Sequence, residues 1–138
     1  MKTSHIVSFA MGAMLMLGVG QFTRSHAQTP AHVYELRTYY AMPGKLDEIK
    51  KRFRTAGIRI LNNHNMKSVG YWEPQDNKDQ TIIYILEHPS KEEADKNWAA
   101  FQRDPEWVKA AKESEANGKL IDHIVRVFMN PTDFSPMK

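Results

Sequence analysis

The sequence predicts an α+β fold in which a four-stranded antiparallel sheet carries two helices on one face, in the order βαββαβ, the split βαβ or ferredoxin-like arrangement. Segments rich in β-branched and aromatic residues alternate with stretches whose apolar residues recur at helical spacing. Pro43-Gly44, Glu73-Pro74 and His88-Pro89 punctuate them. The third observation is the run Gln80-Thr81-Ile82-Ile83-Tyr84-Ile85-Leu86-Glu87. Side chains of a strand alternate between two faces, so Ile82, Tyr84 and Leu86 point one way and Thr81, Ile83 and Ile85 the other. Both faces of this strand are apolar and need cover. Helices in a domain of this size cover one side, and the other side requires a partner, most economically a second copy of the chain.

The first strand is Val33 to Tyr40, rich in Val, Tyr and Thr, and Pro43-Gly44 ends it. From Lys45 the apolar positions become Leu46, Ile49, Phe53, Ala56 or Gly57, and Ile60, the stripe of an amphipathic helix closed by Asn62-Asn63. Asp47 with Lys51 and Glu48 with Arg52 are acid-before-base pairs on its wet side, each contributing ~0.3 kcal/mol. A second strand, Lys67 to Trp72, stops at Glu73-Pro74 because proline offers no donor to a ladder. The polar turn Gln75 to Asp79 joins it to the third strand as a hairpin. Ser90-Lys91-Glu92-Glu93 is a capping box, with the Ser90 hydroxyl accepting from the Glu93 amide and the Glu93 side chain reaching back. Ala94, Trp98 and Phe101 form the buried stripe of the helix that follows. Asp104 suits an N-cap and Pro105 the first helical position, so a second helical piece starts there and runs to about Asn117, with Gly118 in the left-handed conformation. The last strand is Leu120 to Met129, ended by Asn130-Pro131.

Residues 1–27 read as a cleaved export signal. Lys2 supplies the positive region, Ile6 to Val19 the apolar stretch, and Ser25-His26-Ala27 the small residues a signal peptidase reads, with cleavage after Ala27. An uncleaved membrane anchor is the alternative, although the apolar run is shorter than the ~20 residues of a spanning helix. The product is expected to be periplasmic or secreted, with no stable membrane span after cleavage, and residues 28–138 form one domain. Losing Lys2 and Arg24 from the 19 Lys and Arg leaves near balance with the 16 Asp and Glu. No basic block survives, which argues against nucleic acid as a partner. The absence of cysteine excludes disulfides, thiolate metal sites and cysteine nucleophiles.

Several fragments taken together resemble the NIPSNAP family: Tyr34-Glu35-Leu36-Arg37-Thr38-Tyr39, Pro43-Gly44-Lys45, Val69-Gly70-Tyr71-Trp72-Glu73-Pro74, Trp98-Ala99-Ala100-Phe101, Asp104-Pro105-Glu106-Trp107 and Pro131-Thr132-Asp133-Phe134-Ser135-Pro136. The resemblance implies a dimeric α/β barrel, two ferredoxin-like protomers pressing their open sheet faces together. It implies little about activity. Bacterial relatives are mostly uncharacterised, and eukaryotic relatives are mitochondrial proteins linked to vesicle traffic and organelle quality control. This chain departs from the latter in its single domain copy and its export-type leader. The wider barrel superfamily includes cofactor-independent monooxygenases, haem-binding enzymes and stress-response proteins, so fold analogy alone does not choose.

Histidines titrate near neutrality, which makes His64, His88 and His123 candidates for chemistry. His64 ends the first helix, where a cation suits the C-terminal dipole, so it serves either as a cap or as a pocket residue. His88 at a strand end reads as satisfying backbone groups at the bend. His123 lies in the last strand and points into either the dimer interface or the helix side. Their spacing makes no metal site. In the first strand, Tyr34, Leu36, Thr38 and Tyr40 share one face and Glu35, Arg37 and Tyr39 the other. Glu35 and Arg37 form either a structural ion pair or a guanidinium set to hold a carboxylate or enolate, and Glu35 or Asp122 is placed to pair with Arg126. Trp98 and Phe101 read as core.

No glycine-rich phosphate loop, nucleophile elbow or dinucleotide fingerprint is present, so no cofactor is expected. Without an assembled acid, base and nucleophile, the sequence favours a homodimeric binding or interaction module over an enzyme, with a small molecule as a further partner. The alternative is a cofactor-independent monooxygenase acting on a small aromatic or enolisable substrate. Arg37, Tyr39, His64, Tyr71 and His123 would then be the polar handles of a cavity between sheet and helices.

Overall fold

The computed structural model describes residues 32–137, so the leader and its cleavage point lie outside the described residues. Its elements are β1 (Val33–Ala41), α1 (Leu46–Arg52), a π-helical turn (Phe53–Gly57), α2 (Ile58–Asn63), β2 (Lys67–Trp72), β3 (Thr81–His88), α3 (Lys91–Arg103), α4 (Pro105–Ser114) and β4 (Ile121–Met129). The four strands form one antiparallel sheet in the order β2-β3-β1-β4. This is the predicted α+β arrangement. Strand β3 is interior, as its two apolar faces require.

Register sorts the side chains into two layers. Glu35, Arg37 and Tyr39 of β1 stand opposite Leu86, Tyr84 and Ile82 of β3, and opposite Phe128, Arg126 and Ile124 of β4. This layer meets the helices. Its core joins Tyr39, Ile82, Tyr84 and Leu86 to Ile49, Phe53, Ile60 and Leu61 from the first helical segment and Trp98 and Phe101 from α3. On the reverse face, Leu36, Thr38 and Tyr40 stand beside Ile85, Ile83 and Thr81 and beside Val127, Val125 and His123.

The first helical segment departs from the regular helix that its periodicity suggests. A π turn spans Phe53–Gly57, closed by the Ile58 N–H bonding the Phe53 carbonyl five residues back. The wider turn keeps Phe53, Ala56, Gly57, Ile60 and Leu61 all buried. The surface pairs expected along α1 also differ. Asp47 pairs with Lys50 at 2.8 Å and Glu48 with Lys45 at 3.1 Å, because neighbours three apart are equally within reach. Arg52 is buried and turns toward α4, where its Nη1 donates to Glu115 (3.1 Å) and Ser114 (3.3 Å) and its guanidinium lies 5.2 Å from the Trp107 ring.

The helix starts follow their capping residues. Ser90 Oγ accepts from the Glu93 amide at 3.1 Å, but the Glu93 carboxylate takes Lys96 at 2.6 Å, so only half of the capping box forms. Asp104 Oδ1 accepts from the amides of Glu106 (2.8 Å) and Trp107 (3.3 Å) ahead of Pro105. Gly118 takes φ +106° after α4. In β2, Gly70 sits beneath the Trp72 indole, and a Cβ there would lie 2.6 Å from the ring. A larger residue there would have to push aside the tip of the half-exposed Trp72 ring.

Leu86→Ala removes a side chain with no solvent exposure. It is expected to cost ~2–5 kcal/mol in denaturant unfolding. Val108→Ala, on the exposed side of α4, is expected to stay within about 0.5 kcal/mol.

Candidate functional site

The polar centre of the helix-facing layer is Glu35, fully buried in the middle of the fold. Its two oxygens divide four donors. Oε1 accepts from Arg37 Nη1 at 2.8 Å and Arg126 Nε at 2.6 Å, while Oε2 accepts from His88 Nε2 and the Trp98 indole N–H, both at 2.8 Å. The donors come from β1, β4, the end of β3 and α3, so one carboxylate ties three strands to a helix. Arg126 continues outward to Asp95 on α3 at 3.0 Å. The Arg37 guanidinium carbon lies over the Trp98 ring, 4.0 Å from its centroid.

Burial by itself would raise the Glu35 pKa, but hydrogen bonds from His88, Trp98 and Arg37 and the charge of Arg37 outweigh it and bring it down to about 2. A carboxylate that acidic is a poor base near neutral pH. For Arg37, burial works against the charge, and the neighbouring Tyr84, Tyr39 and Glu35 more than offset it, raising its pKa. Arg37 is therefore held in a structural ion pair. His88 Nδ1 and Arg37 Nε are buried with no hydrogen-bond partner among the described residues.

Beside this cluster lies an aromatic box. Tyr84 donates its hydroxyl to Tyr39 at 2.9 Å, and Phe53, Trp98, Phe101 and Trp107 close around them. The cavity they leave measures about 10 Å³, space for roughly one water. Burial raises the pKa of Tyr84 well above the usual phenol range and also raises that of Tyr71, so both are protonated at neutral pH.

Of the residues singled out in the sequence, Arg37, Tyr39 and Tyr71 come together on the helix-facing layer, Tyr71 stacking on Tyr84 with centroids 5.3 Å apart. His64 stands at the periphery of this layer, its Nε2 2.8 Å from Asp104 Oδ2 and its ring edge-on to Phe101 at 6.1 Å. It links the end of α2 to the cap of α4. His123 lies on the reverse face, stacked on Tyr40 at 4.1 Å and paired with Asp122 at 2.7 Å. The five handles therefore do not meet in one cavity.

His88 is the residue that local reasoning placed differently. It binds the Glu35 carboxylate rather than backbone at the bend, since it continues the inward series Ile82, Tyr84 and Leu86. That parity was the available signal. Among the described residues no group of His, Asp or Glu is arranged to hold a metal ion.

With fold and site defined, likeness to known proteins becomes informative. The sequence pattern of the NIPSNAP family matches residues 34–136. The chain belongs to the NIPSNAP family. A NIPSNAP family protein with unknown function from Agrobacterium tumefaciens has 25% identity and a TM-score of 0.69, covering 80% of this chain and 96% of that one. A second NIPSNAP family protein from the same organism has 23% identity and a TM-score of 0.69, covering 78% of this chain and 99% of that one. A NIPSNAP-like domain protein from Burkholderia xenovorans has 20% identity and a TM-score of 0.68, covering 78% of this chain and 90% of that one. No curated protein matches the chain. The NIPSNAP domain is thus shared as a fold with bacterial proteins of unknown function.

The Glu35 cluster gives a signed pH dependence. Its carboxyl titrates at about 2 when folded against 4.5 as the ordinary value. The folded form binds fewer protons between these pH values, so its stabilisation is complete above pH 4.5 and is lost as pH falls toward 2. Urea unfolding across this window should lose about 3 kcal/mol from this group. Glu35→Gln should flatten that slope and cost ~1–3 kcal/mol at neutral pH, because the largely covered Arg37 loses its counter-charge while the more exposed Arg126 keeps Asp95.

Proposed function

We propose that this NIPSNAP chain is an exported, homodimeric binding or interaction module whose open sheet face is its contact surface. The observation that carries the reading is the chemistry of that face. Val125, Val127 and Trp72 are 42%, 45% and 50% exposed, and Leu36, Ile83 and Ile85 lie in the same layer. Clustered apolar side chains on a sheet face mark an interaction site. A second copy offers a matching surface, and pairing two such faces builds an eight-stranded barrel from two protomers.

The inner layer supports the same reading. The donors on Glu35 are engaged with the fold, and the space beside Tyr39 holds about one water (10 Å³). A cofactor-independent monooxygenase needs room for an aromatic or enolisable substrate. Binding at a face or rim fits the geometry better.

Val127→Glu places a charge in the middle of the face. Sedimentation at micromolar concentration is expected to give a dimer for the mature wild-type protein and a folded monomer for this variant, since burying an unpaired charge costs several kcal/mol. A folded wild-type monomer would defeat the dimer. For export, sequencing the mature amino terminus should begin at Gln28, and a product starting at Met1 would overturn it.

A further inference from the structure

The segment that follows β4 contains a feature the open sheet alone does not explain. Asn130-Pro131 ends the strand, and the Ser135 N–H bonds the Thr132 carbonyl at 3.1 Å while the Met137 N–H bonds Ser135 Oγ at 3.2 Å. This turn, flanked by Pro131 and Pro136 with their fixed φ, displays Phe134 at its tip. Phe134 is 84% exposed. A side chain held out by an ordered turn is an apolar anchor without cover among the described residues.

Next to it is a socket. A pocket of about 270 Å³ is lined by Tyr34, Ile85, Met129, Pro131 and Met137, and Phe134 is not in its wall. Tyr34, Ile85 and Met129 belong to the open-face layer, so the pocket is the end of that face. Knob and socket thus sit at one end of the same surface of a single chain. A two-fold contact uses one patch twice, which requires each copy to present both halves.

We propose that the Phe134 ring of each copy seats in the Tyr34, Ile85 and Met129 pocket of a second copy, so that the C-terminal segment locks and orients the dimer. The inference rests on the face-to-face dimer and adds its geometry: the two-fold axis brings the C-terminal ends of both β4 strands together. Residues 28–31 of the same chain are the other candidate occupant, and that arrangement would leave association indifferent to Phe134.

The test uses the full mature chain in sedimentation equilibrium over a concentration series, with circular dichroism as the check on folding. Phe134→Ala should weaken the dimer by roughly a hundredfold or more, because two symmetry-related rings are lost, while Phe134→Leu should keep most of the affinity. Equal dimer constants for wild type and Phe134→Ala would overturn the knob and leave the dimer intact. A monomeric wild type would overturn both. As a second reading, the chain has no cysteine of its own, so oxidising a Phe134→Cys, Ile85→Cys variant should give a covalent dimer on a non-reducing gel. A dimer in sedimentation without that cross-link would overturn the seating.

Discussion

The constraint on which the fold depends is the like-charge pair Arg37 and Arg126, directly opposite each other on β1 and β4. Facing guanidinium groups on one side of a sheet repel. Glu35, two residues along the same face, resolves it by bonding both arginines through one oxygen. Its second oxygen is then free for His88 and Trp98. A slip of β4 by two residues along β1 would part Arg126 from Glu35 and leave the buried carboxylate one donor short. The carboxylate therefore fixes strand register and the position of α3 together. The four donors occupy both oxygens of Glu35, while His88 Nδ1 and Arg37 Nε are buried with no hydrogen-bond partner among the described residues.

Around this centre the helices bring bulk. Phe53, Trp98, Phe101 and Trp107 meet Tyr39 and Tyr84, and the π turn at Phe53–Gly57 supplies the extra width that keeps this row against the sheet. Arg52, directly before the π turn, turns into the groove against α4 and joins the two helical segments through Glu115 and Trp107. Aromatic packing and ion pairing thus reinforce each other. One fills the volume, and the other removes the freedom to slide.

The strands, the broken second helix and both helix starts were legible in the sequence because local chemistry decides them: period-two alternation, the Ser90 and Asp104 caps, and Pro105 at a first helical position. Trp98 and Phe101 were legible as core for the same reason. Less legible were contacts set by chain separation. Glu35 meets Trp98 from 63 positions away and Arg126 from 91, and no window around Glu35 contains either. The pairing of Glu35 with Arg126 followed only once the first and last strands were placed side by side. His64 and His123 looked equivalent by residue type, yet register sends His123 to the reverse face and the end of α2 sends His64 to Asp104. The π turn left no trace, because Phe53, Ala56, Gly57 and Ile60 satisfy an ordinary helical stripe equally well.

The contrast between the two sheet faces carries the functional argument furthest. The inner face holds the Glu35, Arg37 and Arg126 cluster within an apolar layer, whereas the outer face carries Leu36, Ile83, Ile85, Val125 and Val127 beside the Lys67–Glu87 ion pair. A sheet left open to water ordinarily presents polar residues on that side. Here Val125 and Val127 lie 42% and 45% exposed on that side, where water opposes them. In the dimer proposed above, that face becomes an interior of the assembly. With no cysteine to staple the chain, covering that face in the proposed dimer would add apolar burial to the core of a domain of this size. Binding specificity would then arise at the ends of the sheet, where the apolar layer gives way to shaped features such as the Tyr34, Ile85 and Met129 pocket.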